Sequence, residues 1–216
     1  QQMFADLNRY AVKPSASIGV LYDHRDPLSS VTRAIVASSP LLRDVVELEK
    51  SALSPRSRKL FTLSAIFGAT RALLSDIEEE DLPDHIDTGA AFWDGINEGF
   101  IEWDDVREGR LTAGEVRKDF IHSHGTVLHA FGRVGRAALA DGEPNWKDIG
   151  VRLGELDWRR SNTWTWEGRA LVGGRVSKSK NNVVLTTNVI KAHLGFELSL
   201  DERAVEVVHV MAEKEQ

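Results

Sequence analysis

The sequence contains no cysteine and no long apolar run. Without thiols, the 216-residue chain cannot form disulfides, thiolate metal sites, iron–sulfur clusters or a cysteine nucleophile. No apolar segment approaches the roughly 18 residues that a membrane-spanning helix needs, and no basic-then-apolar signal pattern is present. We therefore expect a cytoplasmic chain with no membrane partner. Because the sequence opens with Gln1 rather than methionine, we also expect its natural beginning to lie upstream.

Several sequence motifs of enzymes are missing as well. The phosphate-binding patterns G-x-x-x-x-G-K-[ST] and G-x-G-x-x-G do not occur, nor does the G-x-S-x-G nucleophile elbow. Three histidines lie close together at positions 122, 124 and 129, but a zinc-binding pair on a helix needs a spacing of four. No complete catalytic motif, metal site or cofactor is therefore predicted. His122 and His129 are instead predicted to share a polar or basic helix face with Lys118, Arg133 and Arg136.

Charge is distributed unevenly along the chain. The net charge is −6, and residues 76–108 contain 13 acidic residues and one basic residue. Residues 158–182 contain six basic residues and one acidic residue. A protein that is acidic overall is repelled by nucleic acid unless its basic groups are concentrated on one face. The basic block therefore indicates a surface whose partner differs from that of the rest of the molecule.

The acidic region also shows a regular spacing. Asp94, Glu98, Glu102 and Asp105 repeat every three or four residues, which would place them on one side of a helix. The default interpretation is a solvated face, because no histidine or glycine-rich motif stands beside these residues. Binding of Mg²⁺, contact with a basic partner surface and a pair of catalytic carboxylates are the alternatives.

Hydrophobic periodicity predicts a mainly α-helical fold. We expect a helical bundle-like body over residues 1–143. A tryptophan-rich, basic segment follows over residues 144–216, with a small β-hairpin near residues 169–185 and C-terminal helices, either as a second domain or as part of the same one. One long helix is predicted from Thr112 to about Asp141, and a short one from Thr187 to Gly195. Residues 177–182 are expected to form the tip of the hairpin.

Helix starts are marked by capping residues. Asp26 precedes Pro27, a combination typical of the N-cap and first helical position. Thr112 with Glu115, and Ser199 with Glu202, have the spacing of a capping box, in which each side chain binds the other residue's backbone N–H. Further helix starts are predicted at Asn145, Ser39 and Asp84.

The basic block carries the strongest functional signal. Four of the six tryptophans, at positions 146, 158, 164 and 166, lie within 21 residues, interleaved with arginines. Basic side chains neutralise phosphates and release counterions, amides bind phosphates or base edges, and tryptophan stacks on bases or anchors the segment in the core. We predict double-stranded DNA as the partner. The predicted phosphate contacts are Arg159, Arg160, Arg169, Arg175, Lys178 and Lys180. The predicted base or sugar contacts are Asn162 and Asn182.

Two other polar clusters precede helices. Residues 54–59 (SPRSRK) place three cations in a loop, where backbone amides at a helix start favour an anion. Residues 23–26 (DHRD) group four ionisable side chains, which form either a polar site or a turn held by its own ion pairs.

Six segments resemble the DndB family of DNA sulfur-modification proteins, which belongs to the DGQHR group related to ParB/sulfiredoxin-like folds. The segments are residues 4–12 (FADLNRYAV), 21–26 (LYDHRD), 59–66 (KLFTLSAI), 157–162 (DWRRSN), 166–169 (WEGR) and 182–188 (NVVLTTN). The resemblance spans nearly the whole chain. It implies a regulator of bacterial DNA phosphorothioation that binds the promoter of the modification genes and represses them. It also implies modification-machinery proteins and a second copy of the chain as candidate partners.

The chain departs from the family in one respect. The DGQHR motif is absent, so the sequence resembles the C-terminal portion only. Related domains combine that motif with an F-x-x-L-N element in nucleotide hydrolysis, and Phe4, Leu7 and Asn8 match this element. The resemblance thus marks Asn8, His24 and Arg25 as a nucleotide-site remnant.

Two alternatives to the repressor stay open at the level of sequence. The first is the C-terminal part of a ParB-like nucleotidase or nuclease of the same system, which would use Asn8, His24 and Arg25. The second is a protein-interaction module whose acidic helix docks on a basic protein of the modification machinery.

Overall fold

The computed structural model describes residues 14–74, 77 and 81–214. In these ranges the protein has twelve helices and two small two-stranded sheets, which confirms the predicted, mainly α fold. The helices are α1 (Ala16–Tyr22), α2 (Pro27–Ser38), α3 (Leu42–Val45), α4 (Leu63–Leu73), α5 (Leu82–Asn97), α6 (Ile101–Arg107), α7 (Ala113–Asp119), α8 (Gly125–Ala140), α9 (Trp146–Gly154), α10 (Thr163–Trp166), α11 (Lys180–Leu194) and α12 (Leu200–Lys214). None of these helices is long and apolar enough to cross a bilayer.

The two sheets are short. Strand β1 (Val46–Glu47) pairs in parallel with β2 (Phe61–Thr62), in the register Val46 opposite Phe61. Strand β3 (Leu171–Val172) pairs antiparallel with β4 (Arg175–Val176). Each sheet therefore joins two loop regions rather than forming a layer of the core.

Helix α8 is the centre of the core. It packs against α4 on one side and α11 on the other, and its buried face includes Val127, Phe131 and Val134. The approach to α4 is so close that a Cβ atom at Gly132 would overlap the carbonyl oxygen of Ala69. Helices from both sides of residue 143 thus contribute to one core, while the division into two domains stays a prediction.

Aromatic side chains fill the other half of the core. Helix α5 packs against α2 and α9. Phe100 stacks on Trp103 with ring centroids 4.4 Å apart, and Trp158 stacks on Trp166 at 4.8 Å. Both tryptophans of the second pair are buried, so part of the tryptophan cluster anchors the basic segment in the core. Trp164, in contrast, is 97% exposed.

The predicted caps are confirmed where local sequence dictates them. Asp26 accepts from the Ser29 amide, and Asn145 accepts from the Asp148 amide. Both capping boxes form, at Thr112 with Glu115 and at Ser199 with Glu202. The start predicted at Asp84 is wrong, because the residue before α5 is Asp81. The start predicted at Ser39 is confirmed by its contacts: Ser39 ends α2, its Oγ accepts from the Leu42 amide at 3.4 Å, and its carbonyl accepts from the Arg43 amide at the beginning of α3.

The long helix predicted from Thr112 to Asp141 is wrong. It is two helices, α7 and α8, separated by residues 120–124. Phe120 is extended and forms an isolated bridge with Arg159, and the Ile121 amide donates to the Trp158 carbonyl. These tertiary hydrogen bonds replace the helical ones. As a result His122 is buried and does not share a polar face with His129.

The hairpin is shorter than predicted. Gly173 and Gly174 form its turn with φ of 58° and 71°, a left-handed conformation that glycine adopts without strain. Residues 177–182 are not its tip. Ser179 instead caps α11 by accepting from the Asn182 amide, so that helix begins at Lys180 rather than at Thr187.

Candidate nucleic-acid interface

A cleft of about 1030 Å³ lies between the segment 51–68, α7, the beginning of α8 and the basic segment. Four cationic residues line it: Arg117, Lys118, Arg160 and Lys178. Among the described lining residues the acidic one is Glu115, whose carboxylate accepts hydrogen bonds from Thr112 in the capping box. The cleft therefore carries an excess of positive charge.

Arg117 holds one wall of the cleft. Its guanidinium donates to the backbone oxygens of Ser54, Ser57 and Lys59. The cationic loop of residues 54–59 is thereby fixed against α7, with Arg56 and Arg58 exposed. Burial lowers the pKa of Arg117, but a guanidinium stays protonated in proteins.

Arg160 connects the basic segment, on the other side of the cleft, to α7. It donates to the backbone oxygens of Arg117 and Lys118, and its Nη2 lies 3.0 Å from Nε2 of His124. These contacts are to neutral groups, so the guanidinium keeps its charge uncompensated. Arg160 is held in place because carbonyl oxygens in the last turn of α7, which have no partner within that helix, accept its hydrogen bonds.

The pKa of His124 is lowered by its surroundings in the cleft. Burial is the main cause that lowers its pKa, and the positive charges of Arg160, Arg117 and Lys178 lower it further against a hydrogen bond to the Arg117 backbone. The ring is therefore neutral near pH 7, and its Nε2 either donates to the Arg117 oxygen at 2.9 Å or accepts from Arg160.

Five of the predicted phosphate contacts have no carboxylate partner. Arg160 and Lys178 line the cleft, and Arg159, Arg175 and Lys180 are exposed on the adjoining loop, hairpin and helix start. Within the described ranges, none of the five forms an ion pair at 4.0 Å or less. Nearby Glu167 is engaged by the amides of Gly173 and Gly174.

Arg169 and Asn182 are engaged inside the protein. The Arg169 guanidinium donates to both carboxylate oxygens of Glu206, at 2.5 and 3.0 Å. Asn182 is buried, and its amide binds the backbone of Gly168 and Arg169 and the hydroxyl of Ser177. The phosphate contact of Arg169 and the base or sugar contact of Asn182 stay predictions, and the interface proposed below does not use these two side chains because they are engaged within the protein.

Asn162 also has a local role. Its Oδ1 accepts from the Thr165 amide at the start of α10, and its Nδ2 donates to the Asp157 carbonyl at 3.0 Å. Because both ends of the amide are occupied, Asn162 is likewise left out of the proposed interface.

Two residues of the predicted nucleotide-site remnant, His24 and Arg25, are not brought to the cleft. His24 and Arg25 are exposed in the turn between α1 and α2, and neither lines the cleft. Arg33 organises this turn by donating to the carbonyl oxygens of Val20 and Asp23. Asn8 lies outside the described residues.

The predicted acidic face is divided between two helices. Asp94 lies on α5 and Glu102 and Asp105 lie on α6, with a break at residues 98–100. Several of its charges are engaged within the protein: Asp94 accepts from Ser39, Asp105 pairs with Arg110, and Glu98 pairs with Lys147.

Sequence reasoning missed Arg117 and the beginning of α8, and it placed Lys118 on a helix face with His122 and His129 rather than in this cleft. Arg117 and Lys118 lie outside the basic block, and nothing local distinguishes them from ordinary helix-surface residues. The loop of residues 54–59 was recognised as an anion-binding candidate, but its proximity to the basic segment depends on contacts between residues about 60 positions apart.

Comparison with known proteins gives a match among family models. A family model described as DndB, DNA-sulfur modification-associated, matches residues 1–197. Comparison with curated proteins and with solved structures gives none. The matched range includes every residue that lines the cleft and ends before α12.

Proposed function

The chain belongs to the DndB family of DNA-sulfur modification-associated proteins, and from this we propose that it is a DNA-binding transcriptional regulator that represses the DNA phosphorothioate-modification genes. Its ligand in this proposal is the double-stranded promoter DNA of those genes. The contacting surface is the cleft and its rim, defined by Arg159, Arg160, Arg175, Lys178 and Lys180.

The absence of carboxylate partners around these five cations, within the described part of the chain, is the observation that carries the proposal. Duplex DNA presents one negative charge per roughly 1.7 Å of its axis, and each cation that neutralises a phosphate releases a counterion. A cation already paired with a carboxylate would have to give up that partner first. The cleft cations can bind phosphate without this cost.

The distribution of charge supports a defined orientation on DNA. The protein as a whole is acidic, with a net charge of −6, so the duplex repels the molecule except where positive charge is concentrated. Such an asymmetric potential steers the basic face toward the DNA and discourages other orientations.

Trp164 is the strongest candidate for a contact that is not electrostatic. It lies four residues after Arg160 on the short helix α10, and its ring is almost fully exposed. Exposed apolar side chains beside basic residues insert between base steps or stack on bases in DNA-binding proteins. We assign it to the base-contacting part of the proposed interface.

The test is a mobility-shift titration on the cognate promoter and on a scrambled duplex of equal length, repeated across a salt series. We expect Arg175→Ala and Lys178→Ala each to weaken binding roughly tenfold near 0.1 M salt and to flatten the log–log salt slope by about one unit. Trp164→Ala should weaken binding without changing that slope, since it removes no charge.

Lys147→Ala is the matched control. It removes one positive charge from an exposed lysine that is paired with Glu98 and does not line the cleft. Its salt slope should equal that of the wild type. Equal slopes for Lys147→Ala and both cleft variants would contradict the interface, and equal affinity of the wild type for promoter and scrambled DNA would contradict a sequence-specific repressor.

A further inference from the structure

The beginning of α8 lacks a side-chain cap. This helix is sixteen residues long, and its N-cap residue, His124, makes no side-chain hydrogen bond to the first turn. The first amides of a helix have no acceptor within the helix, and together with the helix dipole they favour a negative charge. The amides of Gly125 and Thr126 belong to residues that line the cleft.

Ser123 supplies an independent observation. The residue is 5% exposed and lines the cleft beside His124 and Gly125. Its Oγ is buried and has no hydrogen-bond partner in the described part of the chain. A buried hydroxyl without a partner is destabilising, and a bound acceptor would remove that cost.

The surrounding charges are positive. Arg160 fixes the His124 ring, while Lys178 and Arg117 add to the potential that lowers the pKa of His124. Thr126 connects the site to the basic segment, because its hydroxyl donates to the Ser177 carbonyl, next to Lys178. An anion here would face two helix amides and one hydroxyl in a cleft lined by cationic side chains, which together suit phosphate oxygens.

We propose that Ser123 and the first amides of α8 form a binding site for a phosphoryl group inside the cleft. The group belongs either to the DNA backbone or to a free phosphate compound such as a nucleotide. The first source rests on the proposed function, whereas the second is independent of it. A cleft of about 1030 Å³ is large enough for either.

The primary test is a titration of the ¹⁵N-labelled protein with inorganic phosphate, followed by the amide signals of Gly125 and Thr126. We expect both signals to shift in a saturable manner, and Ser123→Ala to weaken phosphate affinity roughly tenfold, as the loss of a hydrogen bond to a charged group does. Ser38→Ala is the control, since Ser38 is an exposed serine on α2 that does not line the cleft, and its affinity should equal that of the wild type.

Two results would overturn the site. One is the absence of shifts at Gly125 and Thr126 in the wild type at millimolar phosphate, a readout that does not depend on how any variant folds. The other is equal phosphate affinity of Ser123→Ala and Ser38→Ala, both shown to be folded by their amide spectra.

A second arm separates the sources of the phosphoryl group. If a promoter duplex shifts the same two amides and is displaced by inorganic phosphate, the site holds a backbone phosphate. If the duplex binds without shifting them, while phosphate does, the site belongs to a free phosphate compound. If phosphate shifts the two amide signals but the protein binds no DNA, the phosphoryl site stands and only the proposed function is contradicted.

Discussion

The cations of the cleft differ from those beside α12 in what faces them. Near α12, Arg133 and Lys191 both contact the carboxylate of Glu202, at 2.9 and 2.7 Å, and Arg169 binds Glu206. Around the cleft the cations contact carbonyl oxygens or solvent. Residue type is the same in both regions, so sequence composition does not distinguish them.

The difference separates charges that stabilise the fold from charges available to a ligand. Burial by itself raises the pKa of Glu202, but hydrogen bonds from Lys191, the Ser199 backbone and Arg133 outweigh it and hold the pKa at about 2. That carboxylate is thus strongly stabilised as an anion in the folded protein. Arg169 shows the consequence most clearly, because it belongs to the basic block by sequence but to the paired region by contact.

The largest effect is expected from a substitution that removes a carboxylate from the ion pairs beside α12. Glu202→Gln leaves Lys191 and Arg133 without their carboxylate, and removal of one partner from a buried ion pair costs roughly 3–5 kcal/mol. Urea denaturation should therefore show a clear loss of unfolding free energy. DNA affinity of the folded fraction should not change; a weakened salt slope in this variant would mean that the two regions are not independent.

An acid titration separates the carboxylate beside α12 from His122, a buried histidine that belongs to neither region. Burial, and then the neighbouring charge of His124, lower the pKa of His122 from 6.5 to about 3. Its Nδ1 accepts from the Trp103 indole at 2.9 Å, which requires the neutral ring. A histidine with a lowered pKa stabilises the fold above about pH 6.5 and ceases to do so as the pH falls toward 3.

Glu202 behaves differently, since its contribution is complete above pH 4.5 and is lost only as the pH falls toward 2. From pH 6.5 to 4.5 we expect the unfolding free energy to decrease by up to about 1.4 kcal/mol per pH unit for each such histidine. Denaturation curves of His122→Gln, whose amide can still accept from Trp103, should show a slope smaller by one proton. An unchanged slope in that variant would exclude His122 as the cause.

The smallest effect is expected from a comparison of two arginines within the basic block, one paired with a carboxylate and one unpaired. Arg169→Gln removes a partly buried ion pair and should lower the unfolding free energy by about 1–2 kcal/mol, with no change in the salt slope of DNA binding. Arg175→Gln, six positions further along the chain on the exposed hairpin, should leave the unfolding free energy unchanged and flatten the salt slope of DNA binding. Thermal denaturation and salt titration of both variants measure this, and a parallel response of the two would erase the distinction.

Local features of the fold were predictable from sequence because their causes are local. Capping boxes at Thr112 and Ser199 depend on two side chains three residues apart, and both form as expected. Helical periodicity likewise located most helices. The break between α7 and α8 was not predictable, because it depends on tertiary hydrogen bonds: the Ile121 amide donates to the Trp158 carbonyl, and the Asp119 carbonyl accepts from the Arg160 amide.

The candidate site was predictable only in part. Arg160 and Lys178 follow from the density of basic residues, and the loop of residues 54–59 was recognised by its cations. Ser123 gave no signal, since an isolated serine between two histidines has no distinctive pattern, and its unpartnered hydroxyl is a property of the packed structure.

The sequence by itself determined that the protein is helical, where most helices begin, and that positive charge is concentrated in one segment of an acidic chain. Only the tertiary structure decided which of those charges remain unpaired. The physical reason is that an ion pair or a buried hydroxyl depends on atoms brought within about 3 Å from distant parts of the chain. Arg169 and Arg175 differ by six positions in sequence, and the packing of α12 alone separates their roles.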